Sequence, residues 1–182
     1  LMCEGQLIQV CERDNLDLLK SSYIIFVKKK TAALFAASCQ AGAILADAGL
    51  PYKDVLAEYG LNFGIAFQMV DACMDLIGGQ TELGKAPGAD LRMGELTLPV
   101  LNLISQTKDK ERILFLIGQH GSLKALSELK QRFVNSSAAF KTKDDILLYI
   151  RRAKQKLDRL GDSAFKESLL SLADFIIERA RI

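Results

Sequence analysis

Two aspartates, Asp71 and Asp75, lie four residues apart in the apolar segment FQMVDACMD. In a helix, residues at this spacing lie on the same side. Burying an unpaired carboxylate is costly, so the pair predicts a partner cation or a water-filled cleft. Mg²⁺ suits such a pair, because it commonly binds one or two carboxylates together with phosphate oxygens and water. The alternatives are a solvated helix edge and pairing with a nearby Lys or Arg.

The same side of this predicted helix also carries Gly60, Gly64 and Gln68, within an arc of about 80° that includes both aspartates. Most of the remaining positions are apolar, so the polar stripe is narrow. Glycine lets another group approach the backbone closely. We therefore expect the stripe to face a bulky ligand or a second helix rather than open solvent.

Basic residues before and after this helix add to the same chemistry. Lys30 and Thr31 precede a run of small and apolar residues, and Lys85 lies in the segment that follows Asp75. Carboxylates that hold a metal ion, combined with lysines that reach phosphate oxygens, form a diphosphate-binding site. Each lysine taken alone fits an exposed charge better than a binding residue. The combination favours a diphosphate ligand.

Helical periodicity recurs along the chain and strand patterns are nearly absent, which predicts an all-α fold with the 182 residues in a single domain. Asn15 and Ser163 have N-cap chemistry, and the sequence GLP at 49–51 ends one helix and begins the next. Residues 78–94 are rich in glycine and are predicted to form a long loop. The predicted helices span about residues 1–11, 15–48, 52–78, 95–106, 108–119, 121–135, 143–160 and 163–181.

Composition argues against several classes of function. Apolar residues make up 49% of the chain and the formal net charge is +2, so the helices have wide apolar faces and no basic field favours nucleic acid. No apolar run has the ~20 uncharged residues of a membrane span, and the N-terminus lacks the basic region of a signal peptide. His120, the single histidine, is interpreted as a loop residue.

The cysteines lack the spacing of a metal site, and we interpret all four as buried, reduced thiols of a cytoplasmic protein: Cys3, Cys11, Cys39 and Cys73. The chain does not begin with Met, and no capping residue precedes its first predicted helix. We therefore expect it to be a piece of a longer protein.

Several motifs together resemble one known family. KTAALF at 30–35, YGLNFGIAFQMVDACMD at 59–75 and LGKAPGADLRMGELTLPVL at 83–101 are similar, in this order, to motifs of the trans-isoprenyl diphosphate synthases, the polyprenyl synthetase family. EGQLIQ near the start resembles the family's GExxQ segment, and SLLSLADFIIERARI at the end resembles its C-terminal helix. Within the family, the similarity is strongest to long-chain bacterial enzymes of the octaprenyl type, of which this chain would be the C-terminal portion.

The resemblance implies an all-α bundle around a deep apolar cavity, in which Mg²⁺ holds an allylic diphosphate between two aspartate-rich motifs. Ionisation of the allylic diphosphate and attack by isopentenyl diphosphate would extend the product by one isoprene unit, as in the synthesis of quinone side chains. The resemblance assigns Asp71 and Asp75 as Mg²⁺ ligands, Lys30 and Lys85 as diphosphate-binding residues, Thr31 and Gln68 as residues lining the reacting centre, Gln9 as a neighbour of that centre, and Phe67 as part of the cavity wall.

The sequence departs from the family pattern at three points. Ala72 replaces the second carboxylate of the family's DDxxD motif, although a helix turns it about 100° away from Asp71. Gln6 stands at the acidic position of GExxQ, and Glu4 lies on another side of the helix. The family's first aspartate-rich motif has no counterpart in the chain. The one pair of adjacent aspartates, Asp144 and Asp145, is explained by the start of a predicted helix.

Two hypotheses follow. The chain is part of a Mg²⁺-dependent prenyltransferase that makes a polyprenyl diphosphate, or it is a non-catalytic partner subunit that dimerises with an active prenyl synthase. Both hypotheses predict an apolar face that is buried by association, as a homodimer or a heterodimer.

Overall fold

The computed structural model describes residues 1–78 and 87–180. All regular secondary structure within these residues is helical, which confirms the predicted fold class. No helix in this part of the chain is long and apolar enough to cross a membrane. The elements are α1 (Met2–Glu12), α2 (Leu16–Val27), a π-helical segment called the π-turn (Lys28–Ala32), α3 (Ala33–Leu45), α4 (Leu50–Ile77), α5 (Ala89–Arg92), α6 (Leu98–Gln106), α7 (Lys110–Ile117), α8 (Leu123–Val134), α9 (Ser137–Leu157) and α10 (Ala164–Ala180).

The predicted helix at 15–48 forms as three consecutive helical elements, α2, the π-turn and α3. Asn15 caps it as predicted, since its side chain accepts the Leu18 N–H at 3.1 Å. The π-turn separates α2 from α3 and changes the register of the side chains that follow it. The segment ends at Leu45, and Asp47 then adopts a left-handed φ of 49° that a helix does not continue.

Helix α4 is the central element of the core. It begins after Gly49 with Pro51 in its first turn, as predicted. It packs against α3 on one side and α9 on another, and Tyr59 and Met69 are among its fully buried side chains. A Cβ atom at Gly60 would lie 2.5 Å from the carbonyl oxygen of Phe35, so the glycines of the stripe admit a second helix, α3.

The segment predicted as a loop at 78–94 contains a short helix, α5, within its described part. Gly88 and Gly94 flank this helix with φ values of 77° and 73°, which glycine adopts without strain. Helix α6 starts at Leu98 rather than at the predicted position near residue 95. Glu95 therefore lies in the connection between α5 and α6.

Helix α9 begins six residues earlier than predicted. Ser136 caps it by accepting the Ala138 N–H, so the helix starts at Ser137 and not near residue 143. The interpretation of Asp144 and Asp145 as residues of a helix N-terminus is therefore wrong. They lie within α9, where Asp145 pairs with Lys141 one turn away.

Two of the four cysteines do not fit the interpretation as buried thiols. Cys73 is buried and Cys39 half-buried, but Cys3 and Cys11 are exposed. Both lie on α1, which buries only Gly5 and Gln9. Helix α1 contacts α2 and the π-turn through one side only, so its other side chains face outward. His120 lies in the turn between α7 and α8 with a left-handed φ of 46°, which confirms the loop prediction.

Candidate active site

The two aspartates of the stripe have different surroundings. Asp75 is 2% exposed, and its Oδ1 and Oδ2 accept the backbone N–H groups of Ala89 and Asp90, each at 3.1 Å. Its backbone carbonyl also accepts the N–H of Gly88 at 2.9 Å. Asp75 therefore anchors the first turn of α5 to α4. Asp71, one turn earlier in α4, is only half-buried.

Between the aspartates, α4 faces the core. Ala72 is 1% exposed and Cys73 is fully buried, so position 72 does not lie beside Asp71 on the polar stripe. Burial raises the pKa of the Cys73 thiol far above its usual range, which keeps it protonated. Between residues 71 and 75, the polar stripe of α4 therefore consists of the two aspartates.

Tyr23 is a buried residue of α2 that lies near Asp71, Cys73 and Asp90. Burial raises the pKa of its hydroxyl, and negative charge at Cys73, Asp90 and Asp71 would raise it further. A hydrogen bond with the backbone of Leu98 acts in the opposite direction. Tyr23 therefore stays neutral in the core between α2 and α4. No motif marks it, because it reads as an ordinary apolar position of α2.

The Lys30 ammonium lies in a cluster of polar side chains from three segments. Its Nζ donates to Gln9 Oε1 at 2.9 Å and lies 3.2 and 3.3 Å from the two carboxylate oxygens of Glu95. Gln6 Nε2 donates to Glu95 Oε1 at 3.3 Å. Helix α1 reaches this position because it crosses the π-turn at Gly5, where a Cβ atom would lie 2.5 Å from the Lys30 backbone nitrogen.

The structure therefore brings Lys30 and Gln9 together, as the resemblance implied. Glu95 is a third member of this cluster that the sequence analysis did not identify. It is 65 residues from Lys30 in the chain, and the sequence placed it at the start of a predicted helix, where an acidic residue is ordinary.

Thr31 and Gln68 also meet. The Thr31 hydroxyl donates to Gln68 Oε1 at 2.8 Å, which connects the π-turn to α4. The neighbouring Phe67 is half-buried, and its ring centroid lies 5.1 Å from that of Phe35 on α3. Gln68 is one turn before Asp71, so the contact places the π-turn next to the carboxylate end of the stripe.

Asp71 and Asp75 remain the predicted ligands of a divalent metal ion. Carboxylate oxygens are the donors that Mg²⁺ prefers, and a metal ion at Asp75 would share the carboxylate with the backbone N–H groups of Ala89 and Asp90. Within the described residues, no group of three or more metal-binding side chains forms a closed site. The remaining ligands would be phosphate oxygens and water. Lys85, the second predicted diphosphate-binding lysine, lies outside the described residues.

Comparison with known proteins identifies the family. Residues 1–133 match the family model of the Polyprenyl synthetase domain. The chain belongs to the polyprenyl synthetase family. It is 34% identical over 180 residues to the short chain isoprenyl diphosphate synthase of Methanothermobacter thermautotrophicus, a match that covers 98% of this chain and 55% of that protein. It is 30% identical over 178 residues to heptaprenyl diphosphate synthase component 2 of Bacillus subtilis, covering 98% of this chain and 51% of that protein.

A solved structure of this polyprenyl synthetase type shares the fold. The polyprenyl synthase of Caulobacter crescentus, complexed with calcium and isoprenyl diphosphate, matches with a TM-score of 0.90 and 32% identity over 98% of this chain and 56% of that chain. These matches confirm the resemblance to prenyl diphosphate synthases. The chain spans about half the length of the relatives it matches. The relatives' names include short-chain and heptaprenyl synthases, so the octaprenyl assignment stays a prediction.

Proposed function

We propose that the chain forms part of the allylic diphosphate site of a Mg²⁺-dependent trans-prenyltransferase, which extends an allylic diphosphate with isopentenyl diphosphate to a polyprenyl diphosphate in isoprenoid or quinone side-chain synthesis. One observation carries the proposal. The predicted site residues come from motifs far apart in the chain, yet Lys30 contacts Gln9, and the adjacent Thr31 contacts Gln68, one turn before Asp71 on α4. We further propose a cytoplasmic setting, in keeping with four free cysteines.

Charge and position give each residue a role. Lys30 places an ammonium group where it would bind diphosphate oxygens and offset their negative charge. Asp71 and Asp75 would hold Mg²⁺, which when bound stabilises the charge that develops on the leaving diphosphate. Thr31 and Gln68 orient each other's polar groups at the reacting centre, and Gln9 accepts a hydrogen bond from Lys30 that directs its ammonium group. Phe67 would form part of the apolar wall, and Lys85 would supply a second cation.

The aspartate pair and Lys30 can be tested by ligand-induced stabilisation. Mg²⁺ together with a non-hydrolysable allylic diphosphate should raise the Tm of the chain by a few degrees, because the ligand binds only the folded state. Asp71→Asn and Lys30→Gln should each remove most of this increase. Asp54→Asn, an exposed position on the same helix, is the matched control and should retain it. An increase that is the same in Asp71→Asn and in the unaltered chain would refute the assignment.

A second candidate is a non-catalytic partner subunit that dimerises with an active prenyl synthase. The name of the Bacillus subtilis relative, heptaprenyl diphosphate synthase component 2, supports a protein that works as one of several components. Ala72 and Gln6 stand where the family pattern has carboxylates, which also favours this candidate. An assay of isopentenyl diphosphate incorporation, with the chain alone and with a competent synthase added, separates the two. Stimulation of the synthase with no turnover by the chain alone would favour the partner subunit.

A further inference from the structure

Glu95 forms an ion pair with the ammonium group of Lys30, which the proposed function assigns to diphosphate binding. The Lys30–Glu95 pair is half-buried, with side-chain exposures of 32% and 22%. An ammonium group has three N–H donors. Gln9 Oε1 accepts one at 2.9 Å, and the two Glu95 oxygens at 3.2 and 3.3 Å lie within reach of the other two. A further anion at Lys30 therefore competes with these contacts for the N–H donors.

The position of Glu95 is held by its own segment. Its backbone N–H donates to the Asp90 carbonyl at 2.9 Å, and its carboxylate accepts from Gln6 at 3.3 Å. Asp90 belongs to the first turn of α5, which Asp75 binds through the backbone. The short segment 89–95 thus links the carboxylate of Asp75 at one end to the ammonium group of Lys30 at the other.

We infer that Glu95 is a positioning residue that competes with diphosphate for Lys30, and so sets the diphosphate affinity of this chain. The inference rests on the proposed function. Two anions on one cation repel each other, so a diphosphate that reaches Lys30 displaces the Glu95 carboxylate. Gln6 is neutral and cannot replace Glu95 as an anionic partner of Lys30. Diphosphate therefore binds more weakly, because part of its binding free energy offsets the loss of the Lys30–Glu95 ion pair.

Inorganic pyrophosphate with Mg²⁺ is the probe, titrated calorimetrically into the full 182-residue chain. Glu95→Gln removes the competing charge and keeps the side-chain shape, so pyrophosphate should bind about three- to ten-fold more tightly. The gain should vanish when Lys30→Gln is added. Glu4→Gln is the matched control, because Glu4 lies 3.4 Å from the neighbouring Lys29 and its loss changes the net charge equally. That control should bind within about two-fold of the unaltered chain.

A second measurement tests the contact without any diphosphate. In ¹⁵N spectra of the lysine ammonium groups, the Lys30 resonance should change in Glu95→Gln and stay unchanged in Glu4→Gln. Far-UV circular dichroism of each variant establishes that it is folded.

The outcomes separate this inference from the proposed function. Lys30-dependent pyrophosphate binding that is equally tight, or weaker, in Glu95→Gln would overturn the role of Glu95 and leave the proposed function standing. An unaltered Lys30 resonance in Glu95→Gln would also overturn it. Absence of pyrophosphate binding in both the unaltered chain and Glu95→Gln would refute the proposed function, and the inference with it.

Discussion

The hydroxyl of Thr31 lies 2.8 Å from Oε1 of Gln68, and this hydrogen bond joins the π-turn to the central helix α4. Thr31→Val removes the donor and keeps the branched shape of the side chain. We expect a loss of about 0.5–1.5 kcal/mol in the free energy of unfolding, measured by urea denaturation. Thr31→Ser keeps the hydroxyl and should lose less. Equal stability of Thr31→Val and the unaltered protein would show that the contact contributes nothing.

Asp71 and Asp75 should differ in their effect on stability, although both are predicted metal ligands. Asp75→Asn replaces one of two buried acceptor oxygens by an NH₂ group, which faces the N–H of Ala89 or Asp90. The expected loss is about 1–3 kcal/mol in the free energy of unfolding without added metal. Asp71→Asn, at a half-buried position, should change it by less than about 0.5 kcal/mol. Similar losses in the two variants, measured in urea, would contradict the separate roles.

Gly60 is required by the close approach of α3 to α4. In Gly60→Ala, the new Cβ would lie 2.5 Å from the Phe35 carbonyl oxygen, so the helices have to move apart. We expect a loss of about 1–3 kcal/mol in stability, and more if α3 cannot shift. Gly42→Ala is the control within α3, because no atom lies within 4 Å of its added Cβ. That variant should gain about 0.5–1 kcal/mol from reduced backbone entropy of the unfolded chain. A similar change in stability in the two variants would contradict the requirement for close approach at Gly60.

The lowered pKa of Glu128 predicts that the stability of the protein depends on pH. A hydrogen bond from Arg112, followed by one from Arg132, holds the pKa of Glu128 at about 2, below the ordinary value of 4.5. Because the folded-state pKa is lowered, the contribution of this carboxylate is present above about pH 4.5 and is lost as the pH falls towards about 2.

Glu128→Gln should therefore weaken the fall in stability between pH 5 and about 2.5, measured by urea unfolding at a series of pH values. Glu58→Gln, which removes an exposed partner of Lys156, is the comparison for loss of a single surface ion pair. An unchanged pH profile in Glu128→Gln would show that other carboxylates dominate the acid transition.

Helix α3 supports the prediction of self-association. Its sequence ALFAASCQAGAIL has no charged residue, and Ala43 is its one buried residue. Leu34 and Ile44 are 56% and 54% exposed, so α3 presents an apolar face that association would bury. The chain should form dimers or larger species at micromolar concentration, measured by light scattering. Leu34→Glu should reduce the association, whereas Leu123→Glu, at an exposed site at the start of α8, should not. A monomeric unaltered chain would contradict the prediction.

Local sequence patterns were sufficient for much of the fold. The 3.6-residue periodicity predicted helices throughout, and the GLP sequence located the start of α4 to within two residues. The start of α9 was misplaced because a single serine, Ser136, is a weak marker until its contact with the Ala138 N–H is seen. The predicted polar stripe was also local, since residues three and four apart on one helix share a side whatever surrounds them.

The sequence by itself determined the helices, the side of α4 that carries the aspartates and the resemblance to the polyprenyl synthetase family. Only the tertiary structure decided that Asp75 is buried against α5 while Asp71 is half-buried, and that Glu95 pairs with Lys30 across 65 residues. Helix formation and capping depend on neighbours within about four residues. Burial and ion pairing depend on which distant segments pack together, and that is set by the folded chain as a whole.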